Sequence, residues 1–215
     1  MNIRCLDCGF PYFIIDDVFD SKEMDLIWEE LDFYNDKMQD PEETGSARDR
    51  GNLIKSSKGL FIDDLYYYQI KDKNQEIKSF PHHNDRSNIL TVNRKIFNID
   101  LNQHPSWFFK NIAPTLDYES TMISYYENSD YYAPHRDKDD ITVLCWIYRE
   151  PKKFEGGDLY FPAYDSGVRV KNNRVVIFPG FIEHGVFPVE MEKNDDDKKW
   201  GRYCITSFLL AKDGA

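Results

Sequence analysis

The sequence lacks any apolar run long enough to cross a lipid bilayer, although it has 215 residues. A membrane-spanning helix needs about 20 consecutive, mostly apolar residues. The first ten residues, MNIRCLDCGF, also lack the apolar segment of a secretory signal peptide. We therefore expect a soluble, cytoplasmic protein without a membrane partner.

Cysteine is scarce, with four residues in the chain. Cys5 and Cys8 form a C-x-x-C pair, whereas Cys145 and Cys204 lie alone in apolar, strand-like runs. This arrangement does not form the framework of a disulfide-rich protein, and structural zinc would need a second ligand pair at a suitable spacing. We expect reduced thiols near the first strand and keep zinc binding by Cys5 and Cys8 as a minor alternative.

Positive charge is in deficit, since 27 Lys and Arg residues against 38 Asp and Glu residues give a net charge of −11. Proteins bind phosphate backbones mainly through clustered Lys and Arg, so the composition argues against a nucleic-acid partner. Hydrophobic residues make up 41% of the chain and aromatic residues 15%, which excludes a disordered chain and favours strands. A chain of this length predicts one domain, residues 1–215.

Residues 1–118 combine a short apolar strand with helical patterns. Asp20-Ser-Lys-Glu23 has the pattern of a capping box. The apolar residues after it recur at helical spacing: Met24, Ile27, Trp28 and Leu31. Residues 36–58 are polar and contain one Pro and two Gly, so we expect a long loop or a flap over a site.

Three further patterns precede residue 119. GLFIDDLYYYQI, residues 59–70, predicts a strand, and NILTVNRKIF and SWFFKNI predict helical turns. His82 and His83 look like paired metal ligands. Their position in a polar stretch before a helix instead favours solvated or capping histidines.

From Glu119 onward the sequence consists of short β-branched and aromatic runs separated by turn signals, such as ITVLCWIYRE and RVVIFPG. About seven such strands predict a sandwich or a barrel. The fold class is therefore mainly β with flanking helices (α+β). Between two of the runs, Lys171-Asn-Asn-Arg174 predicts a tight hairpin, because Asn tolerates the left-handed region.

Three residues could together bind a metal ion. His135 and Asp137 form an H-x-D pair, and His184 lies 47 residues further on. Residues two apart on a strand project to the same face, and two histidines with one carboxylate form the facial triad of non-haem Fe(II) oxygenases. An H-x-D pair alone is common by chance, and a catalytic zinc hydrolase remains open on the ligand types.

The strand GRYCITSF indicates an anion site. Alternation along a strand places four of its side chains on one face: Arg202, Cys204, Thr206 and Phe208. A buried arginine is rare unless it is paired with an anion. The planar guanidinium suits a carboxylate, which it can hold through two parallel hydrogen bonds.

The stretch from Thr121 to Leu210 resembles the Fe(II)- and 2-oxoglutarate-dependent dioxygenases, and within them the prolyl 4-hydroxylase-like branch. The motifs that carry the resemblance are H-x-D, GGDLYFP, PG-x-x-x-H and RYCIT, in that order. Together these motifs are specific, whereas each is weak alone. The resemblance implies a double-stranded β-helix (jelly-roll, cupin-like) catalytic core in residues 119–215, supported by residues 1–118.

The resemblance also implies roles for individual residues. Fe(II) would be held by His135, Asp137 and His184, and 2-oxoglutarate would be bound by Arg202 with contacts from Thr206, Tyr125, Tyr148 and Leu159. For both tyrosines, ordinary core packing is the alternative. The 18 residues from His184 to Arg202 exceed the family's usual spacing, and collagen-type relatives use lysine, so Lys198 or Lys199 is an alternative anchor.

The implied reaction converts 2-oxoglutarate and dioxygen to succinate and CO2 while a substrate is hydroxylated, with ascorbate as a candidate reductant. A peptidyl proline is the first candidate substrate, followed by a free amino acid or small metabolite and then a nucleobase. A jelly-roll binding module without catalysis is the alternative from another class. Tyr132, Arg136 and residues 36–58 are candidates for substrate contact, although pairing with Asp139 or Asp140 explains Arg136 better.

Overall fold

Antiparallel strands dominate the computed structural model, which describes residues 1–44, 48–49, 52–62, 69–71, 77–79, 87–192 and 199–211. In chain order the strands are β1 (Asn2–Asp7), β2 (Pro11–Asp16), β3 (Arg48–Asp49), β4 (Asn52–Leu53), β5 (Lys58–Phe61), β6 (Gln69–Lys71), β7 (Ile77–Ser79), β8 (Tyr118–Tyr126), β9 (Tyr132–His135), β10 (Ile141–Ile147), β11 (Glu155–Gly156), β12 (Leu159–Phe161), β13 (Ser166–Val168), β14 (Arg174–Pro179), β15 (His184–Val186), β16 (Val189–Glu190) and β17 (Arg202–Leu210). The α-helices are α1 (Ser21–Tyr34), α2 (Asn88–Phe97) and α3 (Trp107–Ile112).

Several predicted features lie partly or wholly outside the described residues. His82, His83 and Lys198 lie outside the described residues. The strand expected over residues 59–70 begins as β5 and ends at Phe61, and residues 63–68 are not described. Among the helices that are described, none combines the length and the hydrophobicity needed to span a bilayer.

Two antiparallel sheets form the core of the fold. The larger sheet has the strand order β1-β2-β14-β10-β17-β8-β5, and the smaller has the order β13-β12-β15-β9. Trp146 and Phe178 of the larger sheet share one buried apolar cluster with Leu159 and Phe161 of the smaller sheet. Two antiparallel sheets packed face to face in this way form a jelly roll. The predicted mainly β fold with a jelly-roll core is therefore confirmed.

The N-terminal residues contribute strands to both edges of the larger sheet. Strand β2 pairs with β14 and carries β1 outside it, whereas β5 pairs with β8 at the opposite edge. From residue 118 onward the described residues form ten strands instead of the predicted seven or so. The additional strands are β9 of the smaller sheet and the short strands β11 and β16, which pair with each other in a separate two-stranded sheet.

Helix α1 covers the outer face of the larger sheet, as its apolar stripe predicts. The Asp20 carboxylate accepts hydrogen bonds from the backbone of Lys22 and Glu23, and the Glu23 side chain accepts one from the Asp20 backbone, so the capping box is confirmed. Ile27 and Leu31 are buried in one cluster with the sheet. Burying one such side chain contributes about 1.5–3 kcal/mol.

Glu30 is a buried carboxylate that joins α1 to α2. It accepts hydrogen bonds from the hydroxyls of Tyr34 and Ser87 and from the backbone of Ile89. Ser87 is itself the N-cap of α2, since its hydroxyl accepts a bond from the Leu90 backbone. A buried charge is tolerated when it is hydrogen-bonded in this way, and the helical prediction for residues 88–97 is confirmed.

The turn at Lys171–Arg174 differs from the predicted hairpin. Asn173 has a φ of 57°, as expected for an asparagine turn, but the turn joins β13 of the smaller sheet to β14 of the larger sheet. Each asparagine side chain is occupied elsewhere, because Asn172 accepts from the Tyr148 backbone and Asn173 bonds the Phe19 backbone. The segment is therefore a crossover between sheets, and the hairpin prediction is wrong.

Candidate functional site

A cavity of about 690 Å³ opens between the two sheets. Its wall includes the two histidines and the aspartate of the predicted triad, together with Arg202. Ligand cavities commonly have volumes of about 300–1,000 Å³. The cavity therefore has room for 2-oxoglutarate and for part of a second molecule.

The two histidines meet because their strands pair. His135 ends β9, His184 begins β15, and the two residues are direct cross-strand partners with rings 4.3 Å apart. Asp137 follows β9, and its carboxylate oxygens lie 3.5 Å from Nε2 of His135 and 3.5 Å from Nε2 of His184. All three ligand atoms lie within 4.8 Å of one another.

Hydrogen bonds orient the histidine rings so that each Nε2 faces the common point. Nδ1 of His135 lies 2.9 Å from the Ala133 carbonyl, and Nδ1 of His184 lies 2.8 Å from the Ile182 carbonyl. A carbonyl at this position accepts the Nδ1 proton and leaves the Nε2 lone pair free. This arrangement suits two metal-ligating imidazoles.

The protonation states of the triad also suit a divalent cation. Burial lowers the pKa of His184 to about 4, so its imidazole is neutral at neutral pH. Burial opposes ionisation of Asp137, but its interactions with the two histidine rings and the Thr142 hydroxyl hold the pKa of that carboxyl below its usual value. The hydroxyl of Thr142 also donates to Asp137 at 2.5 Å. Neutral imidazoles and an ionised carboxylate are the forms that bind metal.

Arg202 lies in the same cavity and is only 1% exposed. Its guanidinium stacks 4.2 Å over the Tyr126 ring, with Trp146 on a further side at 5.9 Å. Among the described residues, neither the three guanidinium nitrogens of Arg202 nor Nε1 of Trp146 has a hydrogen-bond partner. Buried donors without partners are costly, and an incoming carboxylate would satisfy them. The site therefore fits the distal carboxylate of 2-oxoglutarate.

The alternation predicted for the RYCIT strand is present in β17. Arg202, Cys204, Thr206 and Phe208 all line the cavity. The Thr206 hydroxyl lies 3.6 Å from the Cys204 sulfur. The structure thus brings the predicted triad, Arg202 and Thr206 into one cavity.

Tyr125 is placed differently from the prediction. Its ring packs 4.7 Å from that of Tyr203, and its hydroxyl accepts a hydrogen bond from the Gly201 backbone, on the face of the sheet away from the cavity. The neighbouring residue, Tyr126, lines the cavity and is the cross-strand partner of Arg202. The spacing of ten residues to His135 runs through a loop, so it does not determine which face a residue of β8 occupies.

Tyr148 and Leu159 are also not among the residues that line the cavity. Tyr148 comes one residue after β10 and packs edge-on against Phe154. Leu159 is buried in the apolar cluster beside its cross-strand partner Val186, which does reach the cavity wall. Apolar packing accounts for the placement of both residues, and their contacts with the co-substrate stay predictions.

Two predictions about charged residues are resolved by the geometry. The Lys199 ammonium lies 5.2 Å from the centre of the Tyr125 ring, on the face of the sheet away from the cavity. Lys199 is therefore not an alternative to Arg202 in the cavity. Arg136 lines the cavity mouth, and within the described residues no ion pair joins it to Asp139 or Asp140, contrary to the expectation. Tyr132 does line the cavity, and its ring stacks on His135 with centroids 3.6 Å apart.

Two cavity residues were missed by the sequence reasoning. Tyr126 could have been identified from the strand alternation that selects Arg202, had the register of β8 and β17 been known. Lys55 lies in the polar segment 36–58 and reaches the cavity wall although it is 2% exposed. No local signal in the sequence marks Lys55.

Comparison with known proteins agrees with this geometry. Residues 121–210 match the model of the 2OG-Fe(II) oxygenase superfamily. No curated protein sequence matches the chain at a significant level. The matched segment contains the metal triad and Arg202.

Solved structures show the same fold at low sequence identity. A prolyl-4-hydroxylase of Pseudomonas putida is 13% identical with a TM-score of 0.51, over 95% of each chain. A prolyl 4-hydroxylase of Phytophthora capsici is 16% identical with a TM-score of 0.53, over 93% of this chain and 58% of the other. A 2OG-Fe(II) oxygenase family oxidoreductase of Burkholderia pseudomallei is 12% identical with a TM-score of 0.53, over 95% and 87%. Residues 121–210 therefore match the 2OG-Fe(II) oxygenase superfamily, and the chain has the fold of solved prolyl 4-hydroxylases.

Proposed function

We propose that this enzyme hydroxylates an organic substrate while 2-oxoglutarate is converted to succinate and CO2. The observation that carries the proposal is Arg202, a buried guanidinium in the cavity that holds the triad, whose nitrogens have no hydrogen-bond partner among the described residues. In this proposal His135, Asp137 and His184 hold Fe(II). Arg202 holds the distal carboxylate of 2-oxoglutarate, and the Thr206 hydroxyl supports it.

Each side chain has a defined part in this reaction. His135, Asp137 and His184 lie together in the cavity wall and would hold Fe(II) there, with the cavity available to further ligands. Fe(II), when bound there, supplies the redox chemistry that activates dioxygen. Arg202 fixes the orientation of the co-substrate through a two-point contact, and the apolar walls, such as Leu144 and Val186, exclude water from the reacting atoms. The carboxylate of Asp137 favours hydroxylation over halogenation, because related halogenases lack a carboxylate at this position.

The first candidate substrate is a peptidyl proline. Its support is the likeness in fold to two prolyl 4-hydroxylases. A free amino acid or small metabolite is the second candidate, and the buried Lys55 in the cavity favours it, because a small acid would bring a carboxylate to that charge.

Two measurements test the catalytic proposal. Fe(II) and 2-oxoglutarate added without oxygen should give a weak visible absorption band, and in air with ascorbate the protein should slowly form succinate. His135→Ala and Arg202→Leu should abolish or strongly reduce both signals. Tyr203→Phe is the matched control, because Tyr203 neighbours Arg202 but faces the outer cluster. If both signals survive His135→Ala, the proposal fails, and a non-catalytic binding module remains.

The substrate candidates separate in a screen for a mass gain of 16 Da. Proline-containing peptides form one panel and free amino acids the other, each with Fe(II), 2-oxoglutarate and ascorbate present. A gain among the peptides that needs Asp137 supports the first candidate. Silence across the peptide panel together with a gain among free acids replaces it with the second.

A further inference from the structure

Lys55 is a buried cation in the cavity that belongs neither to the metal triad nor to the Arg202 site. Its ammonium donates to the hydroxyl of Ser124 at 2.9 Å and lies 3.9 Å from the sulfur of Met122. It also faces the ring of Tyr132 at 5.4 Å. All of these neighbours are uncharged.

The position of Lys55 is set by backbone pairing with the strand that carries His135. Lys55 and Tyr132 form an antiparallel bridge. On one side of the bridge the Ala133 backbone donates to the Ile54 carbonyl at 2.7 Å, and on the other the Ser56 backbone donates to the Tyr131 carbonyl at 3.2 Å. The lysine is therefore held against the metal-bearing strand by three consecutive residues of its own segment.

No carboxylate lies within ion-pair distance of the Lys55 ammonium among the described residues. Asp130 and Asp137 act on it only from further away, and Arg202 and the Cys204 thiol also face it. Burying an ammonium group without an anion is costly. Burial accordingly lowers the pKa of Lys55 to about 8, which still leaves most of the group charged at neutral pH.

The Lys55 ammonium lies close to the cavity-facing side chains of β17, the first of which is Arg202. Ser124, which accepts its hydrogen bond, is the cross-strand partner of Cys204, and Met122 is the partner of Thr206. The cavity therefore presents two buried cations, Arg202 on β17 and the Lys55 ammonium beside β8, one cavity-facing cross-strand pair further along at the level of Cys204. Because 2-oxoglutarate offers only one carboxylate away from the metal, two cations can accommodate a second acid.

We propose that Lys55 forms a second anion site in the cavity and binds a carboxylate. The inference rests on the proposed function, because it assumes that Arg202 takes the distal carboxylate of 2-oxoglutarate. The carboxylate at Lys55 belongs either to the substrate, which is then a small free acid such as an amino acid, or to 2-oxoglutarate, which Lys55 then shares with Arg202.

The test uses the full chain loaded with Mn(II), a redox-inert substitute for Fe(II). Three variants are compared with the wild type: Lys55→Met, which keeps the length and removes the charge; Lys55→Arg, which keeps the charge; and Lys58→Met, an exposed lysine three residues away as control. The first arm measures 2-oxoglutarate affinity by calorimetry. The second measures thermal shifts of the Mn(II)–2-oxoglutarate protein with the free amino acids and with their carboxamides.

If the carboxylate belongs to the substrate, one or more free amino acids raise the melting temperature of the wild type and their carboxamides do not. Lys55→Met then loses this thermal shift, while its affinity for 2-oxoglutarate is unchanged. If it is that of 2-oxoglutarate, Lys55→Met weakens 2-oxoglutarate binding by roughly tenfold or more. In either arm Lys55→Arg restores part of the effect and Lys58→Met has none.

The inference is overturned if Lys55→Met matches the wild type in both arms. That result differs from a failure of the proposed function, in which the wild type itself would not bind 2-oxoglutarate with Mn(II). Lys55→Met should also melt at a higher temperature than the wild type when no ligand is present, which shows that the variant folds and that the buried charge is the element removed.

Discussion

The backbone N–H of Asp137 donates to the carbonyl of Gly180 at 2.9 Å, and the N–H of Gly180 donates to the carbonyl of Asp140 at 3.0 Å. These two bonds fasten the loop that follows His135 to the turn that precedes His184. The geometry of the triad therefore depends on a close contact between two backbones as well as on the ligands themselves.

Replacing Gly180 by alanine should disrupt that contact. A Cβ at Gly180 would lie 2.3 Å from the Asp139 carbonyl oxygen and 3.1 Å from the Thr142 hydroxyl. Since backbone cannot rotate away, we expect Gly180→Ala to weaken Mn(II) binding by about tenfold or more, measured by calorimetry. Gly185→Ala is the matched control beside His184, because the atoms nearest its Cβ are at the far end of the Tyr160 side chain, which can move, and not in the backbone. Equal affinities in the two variants would contradict the interpretation.

Arg202→Lys should weaken 2-oxoglutarate binding although the charge is kept. Lysine cannot provide the two parallel hydrogen bonds of a guanidinium, and loss of such a buried contact costs roughly 2–5 kcal/mol. We expect the KM for 2-oxoglutarate to rise by about 30-fold or more in a succinate assay. A KM in Arg202→Lys close to that of Tyr203→Phe would show that the carboxylate binds elsewhere.

Tyr126 and Tyr125 should respond differently to the same substitution. Tyr126→Leu removes the ring under the Arg202 guanidinium, and a buried cation–π contact contributes about 2 kcal/mol. The KM for 2-oxoglutarate should therefore rise by roughly tenfold or more. Tyr125→Leu should lower the melting temperature and leave this KM unchanged, because its ring packs on Tyr203. The reverse pattern would restore the original assignment of Tyr125.

The stability of the ligand-free protein should rise between about pH 8 and pH 10.5 through Lys55. Burial lowers the pKa of this lysine from 10.5 to about 8, so over this range the unfolded chain binds the proton more strongly than the folded one and unfolding becomes less favourable as pH rises. Lys55→Met should lack this component and be more stable at pH 7 by about 1–3 kcal/mol. Urea unfolding at several pH values measures the difference between the two proteins. A constant difference would mean that folding leaves the pKa of Lys55 unchanged.

The residues of the site that lie within one continuous motif could be predicted from sequence, because strand alternation places residues two or four positions apart on the same face. His135 with Asp137, and Arg202 with Thr206, are pairs of this kind. Tyr125 could not be placed, since its face depends on how β8 aligns with β17. Lys55 could not be found at all, because it reaches the cavity through pairing with Tyr132, 77 positions further along the chain.

The fold shows the same division. The capping box and stripe of α1 are local patterns, and both are present. The predicted hairpin at Lys171–Arg174 has the correct turn residue, but local sequence does not specify whether the next strand joins the same sheet or the opposite one. Which strands become neighbours is determined by the burial of both sheet faces, a property of the whole chain.

Residues 1–118 place strands at both edges of the larger sheet, so removing these residues would leave both edges open. A fragment limited to residues 121–210 would keep the triad and Arg202 but expose the unpaired backbone of β14 on one side and of β8 on the other. Open sheet edges of this kind recruit strands from other molecules. The N-terminal segment therefore protects the catalytic core from self-association, and the fragment should aggregate where the full chain does not.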